Sequence, residues 1–286
     1  MRRIGLAALA AAVVATCVYR AAAAPERWSL VRHGADGTSA AVQGVVGERL
    51  VAVVGAEALG GLGRLRDPEA SAVPLAMTKA YARMELDVGD VASPAAVSGL
   101  PPAPPGAFDV LTFEVAPPAV ARGAVVFLHG YGGPFALPCW QVSRAASAAG
   151  FVTLCPSSDV DAAWWTPAGR ALVAHTIEIA RARGFAKVHL VGLSNGALGA
   201  SRLAPRLRGS IASVTVISGG APDAPSPGVP VLALQGRADA MSPANLARAY
   251  AKKSGGRYVE IEGGHFGLVT HERAYLEPLE AFLRER

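Results

Sequence analysis

The sequence predicts an α/β protein with a mostly parallel central sheet, helices on both faces and no large cap. Three observations carry that prediction. Beyond a proline-rich run (Pro101, Pro102, Pro104, Pro105), short apolar, β-branched runs recur at 110–115, 124–128, 151–154, 188–191, 213–217, 229–234 and 258–261. Runs this apolar suit strands buried on both faces. Between them lie helical stretches with readable ends. Thr166-Pro167 opens one that Gly184 closes, and Ser242-Pro243 opens another that Gly255 closes. The connection 218–228 is rich in Gly, Pro and Ala and too short to hold a helical lid. Pro278 is expected to interrupt the last helix and begin its final piece.

The chain has 286 residues, 51% of them hydrophobic and 17% charged, which suits folded domain material and argues against disorder throughout. Its beginning reads as an export leader over residues 1–24. Arg2 and Arg3 precede an uncharged apolar run, 4–18, too short to span a bilayer comfortably, and Ala21–Ala24 supply small residues for cleavage. Cys17, in Val-Ala-Thr-Cys, also permits a lipid-anchored reading. Secretion or periplasmic export is expected, with no stable membrane insertion once the leader is cut.

Removing the leader takes Arg2, Arg3 and Arg20 with it. Twenty-four basic and twenty-two acidic residues remain, a net charge of +2 in place of +5. That is too weak to suggest nucleic acid, and no basic run is interleaved with aromatics. Of three cysteines, Cys139 and Cys155 stay in the mature chain. Both sit at the carboxyl edge of the expected sheet, so they are expected to pair in an oxidising compartment.

Residues 25–107 form an N-terminal extension with the proline-rich linker, ahead of a main domain at 108–286. The extension is weakly patterned. Residues 50–54 suggest a strand, the glycines of 55–63 a loop, and Asp67-Pro68 an N-cap and first-turn proline of a helix running towards Met84. Those glycines do not have the spacing of a dinucleotide site.

The strongest chemical signal is Gly192-Leu193-Ser194-Asn195-Gly196, directly after the run 188–191 and before a helix-prone stretch. A sharp strand-to-helix turn exposes the serine hydroxyl, and flanking glycines leave room for the backbone. Two further loops follow later strands. Asp239 lies in Gln235-Gly-Arg-Ala-Asp239, and His265 in Glu262-Gly-Gly-His265. With His129-Gly130-Tyr131-Gly132-Gly133 after the run 124–128, these motifs resemble the α/β-hydrolase superfamily over residues 108–286.

The resemblance implies a Ser-His-Asp triad, with Ser194 as nucleophile, His265 as base and Asp239 as the acid that orients it. It implies an oxyanion hole from the backbone N–H groups of Tyr131 and Asn195, with Gly132 as the alternative to Tyr131. His129 would support that loop. Asp223 and His271 compete for the acid and base positions. His175 and His189 are better read as packed or surface residues, and His33 lies in the weakly patterned extension. Trp164 and Trp165 are expected to line the substrate crevice, with Trp140 a weaker candidate. The expected substrate is a small-molecule or polymeric ester. The triad needs no cofactor, no metal site suggests itself, and the sequence is silent on oligomeric state. A peptidase or acyltransferase would use the same residues, and a non-catalytic binder on the same scaffold would normally lack one of the three.

Overall fold

A computed structural model describes residues 28–33, 48–65, 67–88, 110–115, 121–158 and 160–286. The leader, Cys17 and the proline-rich run lie outside these residues. Among the described residues, no helix is long and apolar enough to cross a membrane.

Eight strands make one sheet. In chain order they are β1 (Trp28–His33), β2 (Val110–Val115), β3 (Gly123–Leu128), β4 (Phe151–Pro156), β5 (Val188–Leu193), β6 (Ser213–Ile217), β7 (Val231–Gly236) and β8 (Arg257–Ile261). Their spatial order is β1-β2-β4-β3-β5-β6-β7-β8. Strands β3 to β8 are mutually parallel, while β2 runs antiparallel to both β1 and β4. The sheet therefore takes its outermost strand from before the proline-rich run.

The alternation along β3 sorts the core into two layers. Val125 and Phe127 face one side, where α1 (Glu48–Gly61), α2 (Glu69–Val88), α3 (Ala136–Ala148) and the C-terminal α8 (Glu272–Arg284) contribute buried residues. Ala124, Val126 and Leu128 face the other, against α4 (Pro167–Ala182), α5 (Asn195–Leu203) and α6 (Ala244–Lys253). A one-turn helix, α7 (Gly267–Thr270), precedes α8. The connection from Ser218 to Pro230 holds no helix, so no cap covers the carboxyl ends of the strands from there.

Three expectations for local structure are corrected. Residues 50–54 are helical, and most of the expected 55–63 loop belongs to the same helix, α1. Strand preference of the valines yields to packing, because Ala52 and Ala56, one turn apart, bury a smooth stripe in the core. Pro278 lies inside an unbroken α8 rather than starting a new piece. The carbonyl deprived of its donor belongs to exposed Ala274, within reach of solvent. The helix expected after Asp67-Pro68 is present as α2.

Candidate active site

Ser194 sits between the last residue of β5 and the first of α5, with φ 53° and ψ −116°. A non-glycine residue there is strained by roughly 1–3 kcal/mol and persists only where its surroundings over-determine it. They do so here. The Ser194 N–H donates to the Ile217 carbonyl at the end of β6, at 2.9 Å. A methyl group at Gly192 would collide with the Gly196 carbonyl, and one at Gly196 with the Leu128 carbonyl of β3. Only glycine fits either place, so the two glycines press the turn against the sheet and leave the serine at its crest.

Loops after β7 and β8 bring the other two residues to it. His265 Nε2 lies 3.0 Å from Ser194 Oγ. His265 Nδ1 lies 2.9 Å from Oδ2 and 3.1 Å from Oδ1 of Asp239. The Asp239 side chain is fully buried and that of His265 is 10% exposed. A carboxylate out of water needs donors, and Asp239 has them. Oδ1 accepts from the backbone N–H groups of Met241 at 3.0 Å and Ser242 at 2.7 Å. Oδ2 accepts from the Gln235 amide at 2.8 Å. With its charge so held, Asp239 favours the tautomer in which Nδ1 carries the proton, leaving Nε2 to accept from the serine.

The competing residues stand elsewhere. Asp223 is exposed and pairs with Arg202 at 3.5 Å. His271 is exposed beside Thr270. His175 lies on α4 near Glu178, and His33 ends β1. His189 is buried in β5 against the Ser213 hydroxyl at 2.7 Å.

The loop after β3 runs beside the serine, with Gly130 in contact with Ser194. His129 props it from below. Its Nδ1 bonds the Gly130 carbonyl at 2.8 Å, and its Nε2 accepts from the Ser158 N–H at 3.0 Å. The Gly132 N–H donates to the Val160 carbonyl at 2.8 Å, so that donor is already engaged. Tyr131 is 68% exposed at the loop's tip.

The tryptophans differ from expectation. Trp164 is wholly buried, so it does not line a crevice. Its indole N–H donates to the His129 carbonyl at 2.9 Å, and its ring meets that histidine edge-on. Packing the loop was the work available to a large side chain whose polar tip found a backbone acceptor. Trp140 is likewise buried, flanked by Arg83 and Arg144. Trp165 is half-buried with Arg202 over its ring. A disulfide joins Cys139 in α3 to Cys155 in β4.

Two contributors escaped the sequence reading. Gln235 is a buried polar residue at the end of β7, four positions before Asp239, and that spacing was its only signal. Glu69, in the first turn of α2, lies against Gly264 beside His265 and carried no signal at all. Among the described residues, no group of His, Cys, Asp or Glu is arranged to hold a metal ion.

No protein-family profile matches the chain, and no curated protein matches it in sequence. Its fold does match solved structures. Est1E from Butyrivibrio proteoclasticus is 14% identical, with 62% of this chain and 93% of that one aligned at a TM-score of 0.52. An esterase from Pyrococcus furiosus is 11% identical over 63% of this chain and 88% of that one, with a TM-score of 0.50. A structure of the metagenome-derived lipolytic enzymes LipS and LipT is 15% identical over 59% and 96%, also at 0.50. The chain therefore has the α/β-hydrolase fold.

Proposed function

We propose that this protein is an exported serine hydrolase that cleaves carboxylic esters through an acyl-enzyme intermediate. One observation carries the reading: an unbroken chain of hydrogen-bond distances from Ser194 through His265 to Asp239, starting at a strained turn that puts the hydroxyl at the carboxyl edge of the sheet. The words "esterase" and "lipolytic enzymes" in the names of two fold relatives support the choice of ester bonds. The disulfide supports an oxidising destination.

In this mechanism Ser194 Oγ attacks the ester carbonyl carbon while its proton passes to His265 Nε2. The carbonyl oxygen becomes an oxyanion, held by the N–H groups of Tyr131 and Asn195. Gly132 is the poorer donor, since its N–H is already bound to Val160. The imidazolium beside Asp239 returns its proton to the departing alcohol, leaving Ser194 acylated. Water then attacks the acyl carbon, gives its proton to His265 and releases the acid. With no cap from the 218–230 connection, the site suits short acyl esters or exposed segments of a polyester.

The test is labelling with a fluorophosphonate, which reacts with an activated serine. Wild type should take one label, at Ser194, and hydrolyse p-nitrophenyl acetate. Ser194→Ala and His265→Ala should lose nearly all turnover, while Asp239→Asn keeps a larger remnant. Turnover by Ser194→Ala near the wild-type rate would sink the assignment.

A further inference from the structure

The N-terminal helix pair reaches into the neighbourhood of the triad. Helix α1 is fixed to the body by Glu48, which is 2% exposed. Its Oε1 accepts from the backbone N–H groups of Ala136 at 2.7 Å and Leu137 at 3.1 Å, capping α3 directly after the Tyr131 loop. The Tyr81 hydroxyl of α2 donates to the same oxygen at 2.8 Å. Arg83 of α2 pairs with Glu272 at the start of α8, which Arg144 of α3 also holds at 2.8 Å. The pair is thus clamped where α1 begins and towards the end of α2, and α2 packs on α7, immediately beyond His265.

The clamp delivers one side chain to the His265 loop. The carboxylate of Glu69 lies so close over Gly264 that a methyl group there would strike both of its oxygens. Backbone N–H groups of Phe266 and Gly264, on either side of His265, favour its charged form, as does His265 itself. Burial and the charge of Asp239 oppose them, and burial prevails, so the Glu69 pKa is raised. Oε1 is buried and completes no hydrogen bond. A buried acceptor left in this state costs about 1–3 kcal/mol. An apolar residue would fill the place without that penalty, so packing does not explain a carboxylate here.

We infer that Glu69 is a positioning residue for the triad, holding the Gly264–Phe266 backbone so that the His265 ring keeps its line between Asp239 and Ser194. The inference rests on the hydrolase reading above. Glu69 acts through the backbone that carries His265, without touching the substrate. The segment before the proline-rich run is then part of the working site.

Full-length wild type, Glu69→Ala, Glu69→Gln, Gly264→Ala and the Glu69→Ala/Gly264→Ala double variant separate this role from a structural one. Fluorophosphonate titration gives the fraction of competent sites, and p-nitrophenyl acetate hydrolysis gives kcat and KM per titrated site. Glu69→Ala should keep the titratable fraction and KM but lose about tenfold or more in kcat, since small misplacements of a catalytic group are expensive. Glu69→Gln, with the same shape and one acceptor oxygen, should recover most of the rate. Gly264→Ala should be slowed comparably, and much less so in the Glu69→Ala background, where the carboxylate it strikes is absent. Turnover per titrated site within about twofold of wild type in Glu69→Ala would overturn the inference, as would a loss confined to the titratable fraction. Should Glu69→Ala fail to fold, the same criterion applies to Gly264→Ala. Absence of label in the wild type would instead bring down the hydrolase reading itself.

Discussion

Gln235 and Asp239 are joined by a buried hydrogen bond of 2.8 Å from the amide Nε2 to Oδ2, and the same Nε2 also donates to the Ser242 carbonyl at 3.0 Å. One amide therefore ties the end of β7 to both sides of the turn that carries Asp239. Replacing it with leucine leaves the buried carboxylate one donor short, and replacing it with glutamate sets a like charge beside it. Gln235→Leu should lower kcat about tenfold, and Gln235→Glu more than that, both with a lower thermal midpoint. Measured per titrated site, wild-type turnover by Gln235→Glu would show that the amide does not matter to Asp239.

The disulfide should contribute both stability and loop order. It joins residues 16 apart in sequence, a closure worth on the order of 3 kcal/mol. In a protein of this size that corresponds to roughly 6–12 °C in Tm. The paired Cys139→Ser/Cys155→Ser variant, or wild type unfolded under reductant, should melt lower by about that amount. Equal midpoints with and without reductant would show that the bond contributes nothing measurable.

His189 predicts acid sensitivity. Burial, then the positive charges of Lys187, Arg122 and Arg286, push its pKa from 6.5 down to about 4. The unfolded chain therefore binds this proton more readily than the folded one. The associated stability is fully present above pH 6.5 and is lost as pH falls through about 4. His189→Gln should flatten the fall of Tm across that window, read by calorimetry. An unchanged slope would mean that other groups govern the acid limb.

Access to the site sets the kinetics. The 218–230 connection carries no helix, and Tyr131 stands exposed on the loop beside Ser194. Soluble short-chain p-nitrophenyl esters should give simple saturation curves with no jump in rate at the solubility limit. Strong interfacial activation would assign a lid function to the helix pair of α1 and α2.

The C-terminal two-thirds of the fold was legible because its signals are local. Unbroken apolar runs, helix-stopping glycines and the glycines around Ser194 each reflect a constraint imposed by immediate neighbours. Ser194, Asp239 and His265 could be named because each follows a recognisable strand. The failures share the opposite cause. Nothing around Trp164 in the sequence says that its indole points inward to the His129 carbonyl. The valines of 51–54 prefer strands locally and are overruled by a helix whose partner, α2, lies beyond the next loop. Glu69 is invisible for the same reason, since the residue it meets lies almost two hundred positions away.

The strained turn at Ser194 has a consequence for how unfolding can be watched. Its conformation depends on the Ile217 carbonyl of β6 and on the packing of Gly196 against β3. On the reading proposed above, separating any of these strands releases the turn and leaves the hydroxyl an ordinary, inert alcohol. Labelling at this one oxygen thus reports whether these central strands are closed while the loops after β7 and β8 still hold Asp239 and His265 beside it. Followed against denaturant, the loss of label would give the opening free energy of the sheet's centre, a quantity that circular dichroism averages over the whole chain.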